Sequence, residues 1–200
     1  MLEIAHRASG TKYKLNTKDA IINCLKLPYI DGVEFDVRMS RDKVFVISHN
    51  QYIFCNGIKK IEDITYDELK SCKEVSLLKD VLSSIKSDKY IFLDLKIDKI
   101  NIIYEKKLIK ILKKHKLNYY LIGFSNSFMR HLKHKYKFKV GLLKGYIFNI
   151  NESKGELDGI FSHYLVYNCD EGIWTVNDKN LIKKFLDKDV FVITDKPIVK

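Results

Sequence analysis

Four short stretches of this chain hold side chains able to do phosphate or metal chemistry. "IAHR" ends an apolar run on His6 and Arg7; an imidazole passes protons near neutral pH, and a guanidinium grips a phosphate at two oxygens. "GVEFDV" holds Glu34 and Asp36 two positions apart, which on a strand sends both carboxylates out of one face. Two acids pointing together into an interior repel unless a cation sits between them, and hard oxygen ligands of this kind select Mg²⁺ or Ca²⁺. A pair of solvent-facing acids on an edge strand is the alternative. "YIFLDLK" repeats the device, with Asp94 and Lys96 sharing a face at the end of an apolar run. They form either a structural ion pair or a third metal ligand beside a point charge for a bound anion. His49 closes "VFVISHN".

These residues can act together only if the elements that carry them end at one place. Eight short runs rich in β-branched and aromatic residues, "LEIAH", "GVEFDV", "YIFLDLK", "YYLIGFS", "FKVGLL", "DGIFSHY", "GIWTVN" and "VFVITD", alternate with stretches of helical period. The pattern predicts an α/β fold with a parallel sheet, and eight strands invite closure as a TIM (β/α)8 barrel. Helices are expected at about 17–27, 77–86, 102–115, 127–136 and 178–187, the second with Ser76 as its N-cap. "RDKVFVISHN" follows strand 2 too closely for a crossover helix and should be a hairpin arm. The segment 50–75 then reads as a small insertion with one short helix near "TYDELK". The barrel is somewhat trimmed, because 144–157 holds at most a poor helix and 164–170 none. In such a barrel every strand opens at the same mouth, so His6, Arg7, Glu34, Asp36, His49, Asp94 and Lys96 should converge there.

The length of 200 residues fits one domain spanning 1–200. The net charge of +11 favours anionic partners, including nucleic acid and acidic membrane surfaces. The lysines are scattered, however, and "KKLIKILKKHK" and "RHLKHKYKFK" read as solvated helix faces. No nucleic acid partner is expected. No apolar run approaches the ~20 residues of a membrane span, and no secretory signal is visible, so a cytoplasmic chain is expected. Cys24, Cys55, Cys72 and Cys169 lack metal-site spacing and should remain reduced. His115, His131 and His134 sit among lysines and read as solvated. His163, after the sixth run, reads as structural or as approaching the mouth, and Trp174 as either a pocket wall or core.

The order "IAHR", "NT-x-x-A", "GVEFDVRMSRDKVFVISHN", "LDLK", "WTVND" and "ITDKP" resembles the glycerophosphodiester phosphodiesterases, within the superfamily that includes phosphatidylinositol-cleaving phospholipase C. The resemblance runs from residue 4 to 197. It implies a TIM barrel that uses a divalent cation, Mg²⁺ or Ca²⁺, to hydrolyse glycerophosphodiesters to an alcohol and glycerol 3-phosphate. By the same resemblance His6 and His49 match the acid/base pair, Glu34, Asp36 and Asp94 the metal ligands, and Arg7 and Lys96 the phosphate contacts. The implied partner is a glycerophosphodiester or lysophospholipid substrate, and the net charge adds a weak contact with an anionic membrane surface as an expectation. A noncatalytic relative binding anionic headgroups and a lyase that stops at a cyclic phosphate are the competing readings. Five positions depart from the family pattern: Ala8 stands where glycine is usual, Lys14 for proline, Leu15 for glutamate, Asn50 for aspartate and Asp94 for glutamate.

Overall fold

The computed structural model describes residues 1–72, 75–98, 100–145, 156–166 and 171–198. In chain order the elements are β1 (Leu2–Ala5), α1 (Lys18–Cys24), β2 (Gly32–Met39), β3 (Phe45–Ile47), β4 (Tyr52–Phe54), β5 (Ile58–Lys60), α2 (Tyr66–Cys72), β6 (Ser76–Leu77) and α3 (Leu78–Ser84). There follow β7 (Tyr90–Leu95), α4 (Ile102–Lys114), β8 (Asn118–Gly123), α5 (Asn126–Lys135), β9 (Lys139–Lys144), β10 (Gly159–His163), β11 (Gly172–Trp174), α6 (Lys179–Lys183) and β12 (Phe191–Thr194).

Each of the eight expected runs contributes one parallel strand. β1, β2, β7, β8, β9, β10, β11 and β12 are neighbours in that order, and β12 returns to pair with β1. The ring is therefore a closed (β/α)8-type barrel. Closure explains why the runs are apolar at nearly every position: both faces are covered, the inside by other strands' side chains and the outside by helices. Ile4, Phe92, Tyr120, Ile122, Leu143, Phe161, Phe191 and Ile193 fill the interior. The rings of Phe92 and Tyr120 stack at 4.9 Å, and Phe161 meets both edge-on.

Strand β2 runs past the rim. Its last residues pair with β3 in antiparallel register, Val37 with Ile47 and Met39 with Phe45, which is the expected hairpin arm. The insertion beyond it has more structure than one helix. β4 and β5 form a second hairpin, with Phe54 opposite Ile58, turning through Asn56 and Gly57, both at positive φ. Asn-Gly is the preferred dipeptide for such a turn, and that signal was present in "FCNGI". α2 starts on a reciprocal cap: Thr65 N–H donates to Glu68 Oε2 at 2.7 Å, and Glu68 N–H donates to Thr65 Oγ1 at 3.2 Å.

Several expectations need correction. Ser76 does not cap α3; it belongs to β6, and its hydroxyl accepts the Lys18 N–H of α1 at 2.9 Å. The helix expected at 178–187 is five residues long, followed by turns. Cys55 and Cys72 are joined by a disulfide, with Cα atoms 5.2 Å apart, so two of the four thiols are not free. The turn after β10 is a short 3-10 turn at Tyr164–Val166. Most of the link 144–157 and residues 167–170, including Cys169, lie outside the described residues.

His131 is not simply solvated. Its Nε2 lies 2.6 Å from Glu105 Oε2. The buried Glu105 carboxylate also accepts from Lys135 Nζ at 2.6 Å and Tyr136 Oη at 2.5 Å, tying α4 to the end of α5. Burial pushes this acid up, but the three donors outweigh it and hold it down to about 2.

Two outcomes follow from this packing. A β-carbon on Gly32 would lie 2.5 Å from the Tyr90 carbonyl oxygen, a backbone atom fixed between paired strands. Gly32→Ala should therefore lower unfolding stability by about 1–3 kcal/mol in urea denaturation. Removing the Glu105 charge by Glu105→Gln should cost about 1–3 kcal/mol at pH 7. Because the folded-state value lies below the unfolded one, the wild-type advantage is complete above the ordinary glutamate range and shrinks as the pH falls toward 2. Melts of both proteins from pH 7 to pH 2.5 would show the gap closing.

Candidate active site

All eight residues singled out from the sequence line one cavity of about 160 Å³ at the C-terminal mouth of the barrel: His6, Arg7, Glu34, Asp36, His49, Asp94, Lys96 and Trp174. Strand register explains the convergence. Asp36 on β2 is the direct partner of Asp94 on β7, so the two carboxylates sit side by side on adjacent strands. Glu34, two residues earlier, leaves by the same inward face. One oxygen from each of the three acids lies within 4.8 Å of the others, and all three residues are buried.

Three carboxylates that close cannot all ionise without compensation. Burial first, and then the Asp36 charge, pushes the Glu34 carboxyl well above the usual range. Burial raises Asp94 to about 6 despite the adjacent ammonium of Lys96. Burial also opposes the Asp36 charge, but Lys96 and Asn16 outweigh it and hold Asp36 low. Lys96 Nζ is 2.9 Å from Asp36 Oδ1 and also contacts Asp94 Oδ2. The ion pair foreseen between Asp94 and Lys96 is therefore present, and it extends to a second acid. Among the described residues, Asp94 Oδ1 is buried with no hydrogen-bond partner. Three buried carboxylates with oxygens this close, one of them without a hydrogen bond, are the kind of hard oxygen set that fits a divalent cation.

β1 ends in a tight turn. Arg7 and Ala8 both adopt left-handed conformations, at φ 51° and 57°, a region costly for residues with a β-carbon. Ala8, fully buried, thus occupies a position that glycine would fill without strain. The turn aims the Arg7 backbone N–H at Glu34 Oε2, 2.9 Å away, and brings the guanidinium Nε to 3.5 Å from Asp36 Oδ2.

The two histidines are held differently. His6 Nδ1 lies 2.6 Å from Asp195 Oδ1, and its Nε2 is 3.8 Å from Glu34 Oε2. A carboxylate can only accept, so the Nδ1 contact is a donated hydrogen bond, and Nε2 faces the acids. Burial alone would lower the His6 value, but the Asp195 bond and the charges of Glu34 and Asp195 outweigh it and raise it. His49, on the exposed side of the rim, has Nδ1 3.0 Å from Asn50 Oδ1, and burial lowers its value. The Asn50 amide oxygen thus takes the orienting position in which the resemblance leads one to expect a carboxylate. The His49 carbonyl is clamped by Arg38 at 3.0 and 3.2 Å, and Arg38 also pairs with Glu62 at 3.0 Å. Trp174 donates its Nε1–H to the Phe161 carbonyl at 2.7 Å, and its ring meets Phe124 edge-on at 5.6 Å.

Three residues of the site escaped the sequence reading. Asp195 and Asn177 form a pair behind His6: Asn177 Nδ2 donates to Asp195 Oδ2 at 2.7 Å, and Asn177 Oδ1 accepts the Asp195 N–H at 2.9 Å. Asn16 donates to Asp36 Oδ2 at 2.7 Å and accepts the Asp36 N–H at 3.2 Å. All three lie in stretches quoted above, "NT", "WTVND" and "ITD", where only their partners could have revealed their part. His163 packs on the Trp174 ring at 5.3 Å, behind the cavity wall.

Comparison with known proteins agrees with the fold and shows the family. A relative named glycerophosphodiester phosphodiesterase, from Caldanaerobacter subterraneus subsp. tengcongensis, is 25% identical over an alignment of 231 residues that covers 98% of this chain and 94% of the relative. The crystal structure of a Thermotoga maritima glycerophosphodiester phosphodiesterase superposes with a TM-score of 0.76 at 24% identity, covering 98% of this chain and 94% of that one. An Oleispira antarctica phosphodiesterase, whose structure holds the product sn-glycerol 3-phosphate, superposes with a TM-score of 0.83 at 20% identity, with coverage of 98% and 94%. Residues 6–143 match the model of the glycerophosphoryl diester phosphodiesterase family, and this chain belongs to that family.

Proposed function

We propose that this protein is a metal-dependent phosphodiesterase that hydrolyses glycerophosphodiesters to an alcohol and glycerol 3-phosphate, with residues 1–200 acting as one catalytic domain. The observation that carries the reading is the meeting of two histidines, three buried carboxylates and two cationic side chains around one cavity, from positions spread between 6 and 96. Family membership and the product held by the Oleispira relative support the substrate class.

Glu34, Asp36 and Asp94 would hold the cation, Mg²⁺ or Ca²⁺, which when bound supplies stabilisation of the negative charge that develops on the phosphoryl group. The remaining work falls to the chain itself. Arg7 and Lys96 offer positive charge to the non-bridging oxygens. One imidazole of the His6 and His49 pair takes the proton of the attacking hydroxyl, and the other protonates the leaving alcohol. Where the glycerol hydroxyl adjacent to the phosphate attacks first, a cyclic phosphate forms, and water then opens it with the histidines' roles exchanged. Asp195 and Asn177 hold the His6 ring in its tautomer, and Asn50 does so for His49. Trp174 and Phe124 give the cavity an apolar wall against the glycerol carbons.

The reading is tested by incubating the purified protein with glycerophosphocholine and related diesters, with and without Mg²⁺ or Ca²⁺, and following the reaction by ³¹P NMR. Accumulation of glycerol 3-phosphate only with the cation supports it. A cyclic phosphate as the end product would identify a lyase, and no turnover a binding protein. His6→Ala and His49→Ala should each lower kcat by about 10²–10⁴ while leaving the melting curve near that of wild type. If either variant keeps nearly full rate, the acid/base assignment fails. Glu34→Gln should weaken cation binding by about tenfold or more in calorimetry, measured without substrate.

A further inference from the structure

Large apolar side chains left exposed on this molecule are not scattered. Among the described residues nearly all of them sit on segments at the mouth of the barrel, and Leu186, after α6, is the exception. The most exposed belong to the β4–β5 hairpin. Phe54 and Ile58, each 79% exposed, face each other across its two strands, and Tyr52 lies on the same outward face. Ile53 and Cys55 point the other way and are buried, so the hairpin is apolar on both faces although only one is covered. The disulfide from Cys55 to Cys72 fixes its tip to α2. Around the same mouth stand Leu15 after β1, Ile102 and Ile103 in the first turn of α4, Phe124 after β8 and Leu165 after β10.

The apolar tips are interleaved with lysines. Lys60 Nζ lies 5.7 Å from the centre of the Tyr52 ring, and Lys12 Nζ lies 5.8 Å from that of Tyr13. Lys14 and Lys59 flank Leu15 and Ile58 in sequence. Aromatic and aliphatic tips that enter an apolar phase, beside ammonium groups on flexible stems that stay with headgroups, are the chemistry of an anionic lipid interface. The net charge of +11 supplies the long-range attraction. Position supports the same partner: a cleft lined by His49, Asn50 and Lys96 also includes Tyr52, so the hairpin borders the candidate active site directly.

We propose that the mouth face seats on an anionic lipid surface, with Phe54 and Ile58 inserted, so that the cavity opens onto the interface and receives diesters that carry an acyl chain. The choice of substrate rests on the phosphodiesterase reading above; the docking surface does not.

The test separates the two. Sedimentation with vesicles of phosphatidylglycerol and phosphatidylcholine should pull down the wild-type protein, less at high salt, and vesicles of phosphatidylcholine alone should pull down less. The F54D/I58D variant should bind the anionic vesicles at least tenfold more weakly, as should Leu165→Asp on the far side of the mouth, whereas Leu186→Asp should bind as wild type. Hydrolysis of soluble glycerophosphocholine should be unchanged in F54D/I58D, while hydrolysis of lysophosphatidylcholine in mixed anionic vesicles falls. Wild-type protein that stays in the supernatant, or F54D/I58D that sediments like wild type, overturns the docking surface. So does a dimer in size-exclusion chromatography that F54D/I58D dissolves, since the face would then belong to a second copy. Vesicle binding without turnover of any diester would keep the surface and reject the phosphodiesterase reading.

Discussion

Three carboxylates share one buried corner of this barrel, and their mutual repulsion is the constraint around which the rest of the mouth is arranged. In a low-dielectric setting such a cluster is tolerable only when positive charge or proton donors surround it. The chain supplies these from every side. Lys96 bridges Asp36 and Asp94, Arg7 presents its backbone N–H to Glu34 and its guanidinium to Asp36 Oδ2, Asn16 donates to that same Oδ2, and His6 stands 3.8 Å from Glu34. Among the described residues, one buried oxygen of Asp94 still has no hydrogen-bond partner. That oxygen stays available to a ligand, as a cation site would need.

The barrel is what makes the crowding possible. Neighbouring parallel strands place Asp36 and Asp94 in register, and the closed ring denies both of them the option of rotating away into water. Beneath the acids the interior is apolar and aromatic, with Phe92, Tyr120, Phe161 and Phe191 in mutual contact. The polar layer is thus held against a floor that cannot solvate it. Left-handed backbone at Arg7 and Ala8 is part of the same arrangement, because it turns an amide toward Glu34 at the point where β1 would otherwise run on.

Much of this was legible in the residues. Period-two spacing of acids in "GVEFDV" and the polar ends of "IAHR" and "LDLK" were enough to locate the mouth, because strand alternation and parallel topology are strong constraints. The invisible part consists of pairings between distant segments. Asp195 and Asn177 sit near the C-terminus and become part of the site only through contact with His6. Nothing in the local pattern of "ITD" tells an orienting acid from a turn residue. The Cys55–Cys72 bridge was missed because its spacing matches no metal or redox motif, and bridging depends on the fold of the insertion. The hairpin at 52–60 was legible through its Asn-Gly turn, yet its exposed apolar face breaks the alternation that a soluble hairpin normally shows.

Barrel closure also has a temporal side. β1 is sandwiched between β2 and β12, and the imidazole that ends β1 leans on a carboxylate 189 positions downstream. Glu3 likewise accepts the backbone N–H of Ile198. While the polypeptide is being synthesised, the acids and both histidines emerge early, but the ring stays open and His6 lacks its support until the last strand is available. The mouth is therefore complete only once β12 has closed the ring against β1.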